Sequence, residues 1–193
     1  ILAAFRDHDY EAVVTLALAT GMRRGELLGL RWSDLDLDAG TLRIERQLQR
    51  LDGEYQFVPL KTRRSRRTLA LPPIAIEALR RQKVRQFEAK LAAGPAWQES
   101  GLVFTAMTGG PIHGSTLTHR YQQQLTAHGL PVRRFHDLRH GAASLLLAEG
   151  ADMRRIMEQL GHSQISLTAN TYTHLIPAML KDNADLLQRA LGG

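Results

Sequence analysis

Apolar positions recur along this chain at two periods. From Tyr10 to Ala19 apolar and small residues follow a helical period, and the run stops at Thr20-Gly21, where glycine supplies a helix end or tight turn. Leucines 27, 28 and 30 carry a second helical stretch from Met22 to Trp32, with Ser33-Asp34 and Asp36 to Gly40 as loop. Three short runs then read as strands, Thr41 to Leu48, Tyr55 to Pro59 and Arg67 to Leu71, with Asp52-Gly53 as the turn between the first two. They predict a small three-stranded antiparallel sheet in which the second and third strands form a hairpin.

Pro72-Pro73 ends the sheet, and Ile74 to Leu91 has the pattern of an amphipathic helix. Ala92 to Gly101 reads as loop, Leu102 to Thr105 as an extended segment, and Thr108-Gly109-Gly110-Pro111 as a turn. Ser115 caps a helix to about His128. Asp137 to Glu149 forms another, with an apolar stripe at Leu138, Ala142, Leu145 and Leu146 and a stop at Gly150; a shorter one runs from the N-cap Asp152 to Leu160 and ends at Gly161. Ser163 or Ser166 caps the segment that carries Tyr172, and Met179, Leu180, Ala184, Leu187 and Leu191 form one face of a terminal helix after Pro177. The expected fold is mainly α with one small three-stranded antiparallel sheet and a single continuous core.

Composition narrows the class. The 193 residues are 44% hydrophobic and 23% charged, with no apolar run near the roughly 18 residues of a membrane span. The absence of cysteine excludes a disulfide framework and thiolate metal sites. The net charge is +6, and arginine supplies 21 of the 25 basic residues, which favours a polyanionic partner without requiring one. Lys61-Thr62-Arg63-Arg64-Ser65-Arg66-Arg67 places five basic residues in seven with no acid, a self-repelling tip unless a polyanion meets it. Arg24, Arg63, Arg64, Arg66, Arg67, Arg120, Arg133 and Arg134 are the candidate contacts to DNA or RNA.

The chemistry concentrates between Phe135 and His174. His136 and Arg139, three apart, share a helical face and can converge on one anion. Arg23 and Glu26 have the same spacing; taken alone, that pair reads as a surface ion pair of little worth. Cleaving a phosphodiester with a tyrosine requires cations on the non-bridging oxygens, a group to take the phenol proton and an acid for the departing oxygen. Two arginines, a histidine and a lysine answer those needs.

Four motifs carry a resemblance across most of the chain. These are Thr20-Gly21-Met22-Arg23-Arg24-Gly25-Glu26-Leu27, Lys61-Thr62, His136-Asp137-Leu138-Arg139-His140, and Leu160-Gly161-His162 followed by Tyr172. In this order and spacing the sequence resembles the tyrosine recombinases, or phage integrases, whose catalytic-domain fold is similar to that of type IB topoisomerases. The resemblance implies that residues 1–193 form the catalytic domain, without the upstream core-binding domain. It implies that Arg23 and Arg139 activate the scissile phosphate, Lys61 is the general acid, His136 and His162 support proton transfer, and Tyr172 forms a transient 3′-phosphotyrosine. Glu26, Asp137 and His140 would brace the site.

It further implies site-specific recombination of double-stranded DNA without metal, cofactor or ATP, by a homotetramer whose terminal helix packs on a neighbouring protomer. An accessory directionality factor and a bacterial cytoplasmic location, on the nucleoid when bound to DNA, belong to the same expectation. Gly141 departs from the family pattern, in which a small hydroxyl residue often follows the second histidine. Three alternatives stay open on sequence alone: a type IB topoisomerase, a non-catalytic DNA-binding module, and a metal-dependent hydrolase using the eight histidines.

Overall fold

The computed structural model describes residues 1–60 and 65–161. Its helices are α1 (Glu11–Thr20), α2 (Arg24–Leu28), α3 (Pro73–Ala93), α4 (Gly114–Ala127), α5 (Asp137–Ala148) and α6 (Met153–Leu160); its strands are β1 (Leu35–Asp36), β2 (Thr41–Ile44), β3 (Arg46–Leu51), β4 (Glu54–Pro59) and β5 (Arg67–Ala70). A 3-10 turn at Leu2–Phe5 precedes α1. No described helix is long and apolar enough to cross a membrane.

Helix α1 lies at the centre. Ala12, Val13, Val14, Leu16 and Ala17 are all buried, so it is apolar nearly all round and packs on both α3 and α5. Its one buried acid, Glu11, is clamped by α3: Arg81 Nη2 donates to Oε1 at 2.7 Å and Arg85 Nη2 to Oε2 at 2.9 Å. Behind it, Phe5 stacks on the buried Tyr121 ring, which meets Phe135 edge-on. A second, smaller apolar cluster joins α5 to α6 through Ala143, Leu147, Ile156 and Leu160, so the core has two parts where the sequence suggested one.

The sheets differ from the expectation. A three-stranded antiparallel sheet is present, but its order is β1-β2-β5, and β3-β4 form a separate two-stranded sheet. The run Thr41 to Leu48 divides at Glu45: β2 pairs with β5 (Thr41↔Ala70, Ile44↔Arg67), whereas β3 pairs with β4 (Arg46↔Pro59, Leu51↔Glu54). Leu42, Ile44 and Leu48 are all buried at even positions, so the inward phase survives the change of partner and hides it from a period-two reading. Leu35–Asp36, expected as loop in part, supplies the third strand. The Asp52-Gly53 turn is as expected, with positive φ at both residues (50° and 89°), as a twisted hairpin requires. The basic stretch therefore links strands of two different sheets instead of tipping a hairpin.

Helix ends follow the sequence closely. Gly21 closes α1 and Gly161 closes α6, both left-handed at φ 65° and 67°, and the Asp152 side chain accepts from the Arg155 N–H. The cap of α4 is His113, two residues upstream of the expected Ser115, and its ring accepts from the Ser115 N–H. On α5 the stripe is rotated: Leu145 is exposed, while Ala143 and Leu147 are buried against α6.

Two predictions follow from this packing. A Cβ on Gly21 would lie 2.3 Å from Leu160 Cδ2, at a φ that L residues disfavour; Gly21→Ala should lower unfolding stability by ~2–4 kcal/mol in urea titration. Burial raises the Glu11 pKa, but its hydrogen bonds to Arg81 and Arg85 outweigh that and hold the carboxyl below the usual glutamate range. A depressed folded-state pKa gives stability that is complete above the unfolded pKa and lost as pH falls through the folded one. Glu11→Gln should therefore cost ~1–3 kcal/mol near neutral pH, with the deficit narrowing as the pH falls below the usual glutamate range.

Candidate active site

The site grows from the turn between α1 and α2. Thr20 Oγ1 accepts from the Met22 N–H at 3.3 Å, and Gly21 turns the chain so that Arg23 becomes the N-cap of α2. Glu26, three residues on, accepts from the Arg23 N–H at 3.0 Å and from Arg23 Nη1 at 2.9 Å. The pair is not a surface ion pair. The Glu26 side chain is 0% exposed and also receives Arg67 Nη2 at 3.1 Å. Burial works against its ionisation, yet the Arg67 charge and hydrogen bond, with the Arg23 N–H, hold the carboxyl below its usual range.

Arg67 was expected to face DNA. Its side chain is instead 7% exposed, and its remaining donors go to main-chain carbonyls, Nε to Gln159 at 2.8 Å and Nη1 to Ser65 at 2.9 Å. Arg139 is as deeply placed, at 4% exposure, with Nη1 on the Gly21 carbonyl at 2.6 Å and Nη2 on the Leu160 carbonyl at 2.8 Å. Two arginines thus occupy the C-terminal end of α6, where cations complement the helix dipole and satisfy its last carbonyls. The bond to Gly21 spans 118 positions and brings Arg139 to the turn that carries Arg23.

At the N-terminus of α5, His136 is exposed, and its ring meets that of half-buried His140 edge-on at 5.3 Å between centroids. Partial burial, then the nearby His140 and Arg139 charges, push the His136 pKa below the ordinary histidine value. Asp137 is engaged by Arg134, accepting its N–H at 3.0 Å and Nη2 at 3.0 Å. Arg134 is therefore an exposed cation already paired with a carboxylate.

Arg66, Arg120 and Arg133 are exposed, as DNA contacts would be. Arg24, also exposed, ties α2 to the first turn of α4 through Thr118 Oγ1 at 3.0 Å and lines an open cleft of about 500 Å³. Arg50 and His113 line the same cleft and were not singled out from the sequence; the only signal was the position of Arg50 just before Asp52-Gly53. Lys61, Arg63, Arg64, His162, Tyr172 and the terminal helix lie outside the described residues. No group of three or more His, Asp or Glu that could hold a metal comes together among the described residues.

The description "Phage integrase family" matches residues 2–179. A tyrosine recombinase XerC-like protein of Caldanaerobacter subterraneus subsp. tengcongensis is 39% identical over 196 residues, covering 95% of this chain and 50% of that protein. An integrase of Streptomyces ambofaciens is 32% identical over 191 residues, with 95% and 49% covered. The fold is similar to that of the Tn1549 transposon integrase in complex with transposon right end DNA, at TM-score 0.78 and 21% identity, covering 95% of this chain and 59% of that one. The chain spans about half the length of the curated relatives it matches. A family match over nearly the whole chain, on a fold that joins Arg139 to the turn of Arg23, has one meaning: the chain belongs to the phage integrase family and has the catalytic-domain fold of the tyrosine recombinases.

Proposed function

We propose that this chain is the catalytic half of a site-specific recombinase that cuts and rejoins double-stranded DNA through a 3′-phosphotyrosine. The observation that supports the reading is the Arg139–Gly21 bond, which ties a second arginine to the turn that carries Arg23 across 118 positions. The Arg23 side chain is 38% exposed and held on one edge by Glu26, so a guanidinium is oriented before any phosphate arrives. The Tn1549 integrase, similar in fold, is in complex with DNA, and the exposure of Arg66, Arg120 and Arg133 supports contact with such a polyanion.

In this mechanism the Tyr172 oxygen attacks the scissile phosphorus, with His136 and His162 supporting removal of its proton. Arg23, open on one edge, donates to the non-bridging oxygens, and Arg139, with Nη1 and Nη2 on the Gly21 and Leu160 carbonyls, adds its positive charge behind the turn to stabilise what builds there. Lys61 protonates the departing 5′ oxygen, and the 3′ phosphate remains on the tyrosine. Attack by a 5′ hydroxyl of the partner strand reverses each step and regenerates the phenol, so no external energy source enters. Four protomers on two duplexes, with the terminal helix reaching a neighbour, are the assembly this chemistry calls for, and a directionality factor would act on that assembly.

The other tyrosines serve as controls. Tyr121 is fully buried between Phe5 and Phe135 and its hydroxyl has no hydrogen-bond partner among the described residues, so it cannot meet a phosphate. With the full-length protein and a nicked suicide duplex, Tyr172→Phe should abolish the denaturation-resistant protein–DNA adduct while Tyr121→Phe leaves it intact. An adduct surviving in Tyr172→Phe would sink the assignment. Exchange between paired sites, as opposed to supercoil relaxation alone, separates recombinase from topoisomerase.

A further inference from the structure

Arg67 closes the basic stretch that begins at Lys61, and a cation there reads as one more phosphate contact. Its surroundings argue otherwise. The guanidinium is nearly excluded from solvent and its three named bonds go to Glu26, to the Gln159 carbonyl and to the Ser65 carbonyl. Those partners lie on three different parts of the site. Glu26 holds Arg23; Gln159 is the penultimate residue of α6, which His162 follows after Leu160 and Gly161; Ser65 is a buried residue within the stretch that begins at Lys61.

We infer that Arg67 is a positioning residue for the site: it fixes Arg23 through Glu26 and fixes the end of α6 through the Gln159 carbonyl, without touching DNA. The inference rests on the recombinase reading above and names how that site is held.

Charge explains why the position matters. Arg23, Glu26 and Arg67 together carry one net positive charge, so Arg23 can still attract a phosphate although a carboxylate sits against it. Without Arg67, the Arg23–Glu26 pair is neutral, and the buried carboxylate has one guanidinium left to satisfy it. Arg23 would then be drawn onto Glu26 and away from its ligand. Lysine cannot replace the fork, because a single ammonium on a flexible stem cannot serve Glu26 and two carbonyls in these fixed directions.

The experiment is single-turnover adduct formation by the full-length protein on a nicked suicide duplex, with DNA affinity measured across a salt series. Arg67→Met should slow adduct formation ~10–100-fold while leaving the slope of log affinity against log salt unchanged, whereas Arg66→Ala should reduce that slope by about one contact. Arg67→Lys should fall between wild type and Arg67→Met. The double variant Glu26→Gln/Arg67→Met, which restores one net positive charge at Arg23, should recover at least part of the rate lost in Arg67→Met. A purely structural role would make the double variant no better than the single one, and that outcome overturns the inference. So would a wild-type rate in Arg67→Lys, or a salt slope reduced in Arg67→Met as for a phosphate contact. Should Arg67→Met fail to fold by urea titration, Arg67→Lys alone decides. A wild-type protein that forms no adduct would remove the recombinase reading itself, whereas a reactive wild type with an equally reactive, folded Arg67→Met removes only the role of Arg67.

Discussion

Two helices, α1 and α6, end on left-handed glycines inside the molecule, and their last carbonyls need donors that water cannot supply. Arg139 meets this demand at both ends at once, on the carbonyls of Gly21 and Leu160, and Arg67 meets it at Gln159. Burying two guanidinium groups is costly unless they are paired and hydrogen-bonded. The Glu26 carboxylate and the negative end of α6 provide that compensation. The packing of α5 and α6 against the α1–α2 turn, and with it the shape of the candidate site, depends on these few bonds.

The same arrangement separates rigidity from reactivity. Arg139, Glu26 and Arg67 are buried and tied to main chain, whereas Arg23 and His136 are partly or largely open to solvent. A phosphate reaching the open groups would find donors already oriented, and little of its binding energy would be spent on ordering them. The low dielectric around the buried trio also makes their charges matter more than those of exposed Arg120 or Arg133. Equal formal charges along the sequence therefore do unequal work.

The helices were legible because glycines and an aspartate punctuate them: Gly21, Asp152 and Gly161 stand where the turns are. The four motifs that pointed to the family were legible because their spacing is a property of the chain itself. Sheet membership was not, since a strand that changes partner at Glu45 keeps its inward phase and leaves no trace in periodicity. Nor was the burial of Arg67, which depends on Glu26 and on Gln159, 41 and 92 positions away. Helix α5 misled for a related reason. It meets α1 at Gly141 and the Gly21 turn at Ala142 but α6 through Ala143 and Leu147, so a single predicted stripe placed Leu145 inside when it is out.

Gly141 shows how packing distance and site chemistry are one constraint. A Cβ there would come within 3.1 Å of Leu18 Cδ1 on α1, closer than nearly all ordinary contacts. Without that atom α5 can sit tight against α1, and two residues back along α5 lies Arg139, which reaches the Gly21 carbonyl at 2.6 Å. Gln159 Nε2, approaching the Thr20 carbonyl at 3.5 Å, approaches the same turn from α6. A larger residue at 141 must push Leu18 aside or move α5 outward, and an outward shift would carry Arg139 away from the Gly21 carbonyl. The glycine that departs from the family pattern therefore belongs to the same close approach that brings Arg139 to the turn of Arg23.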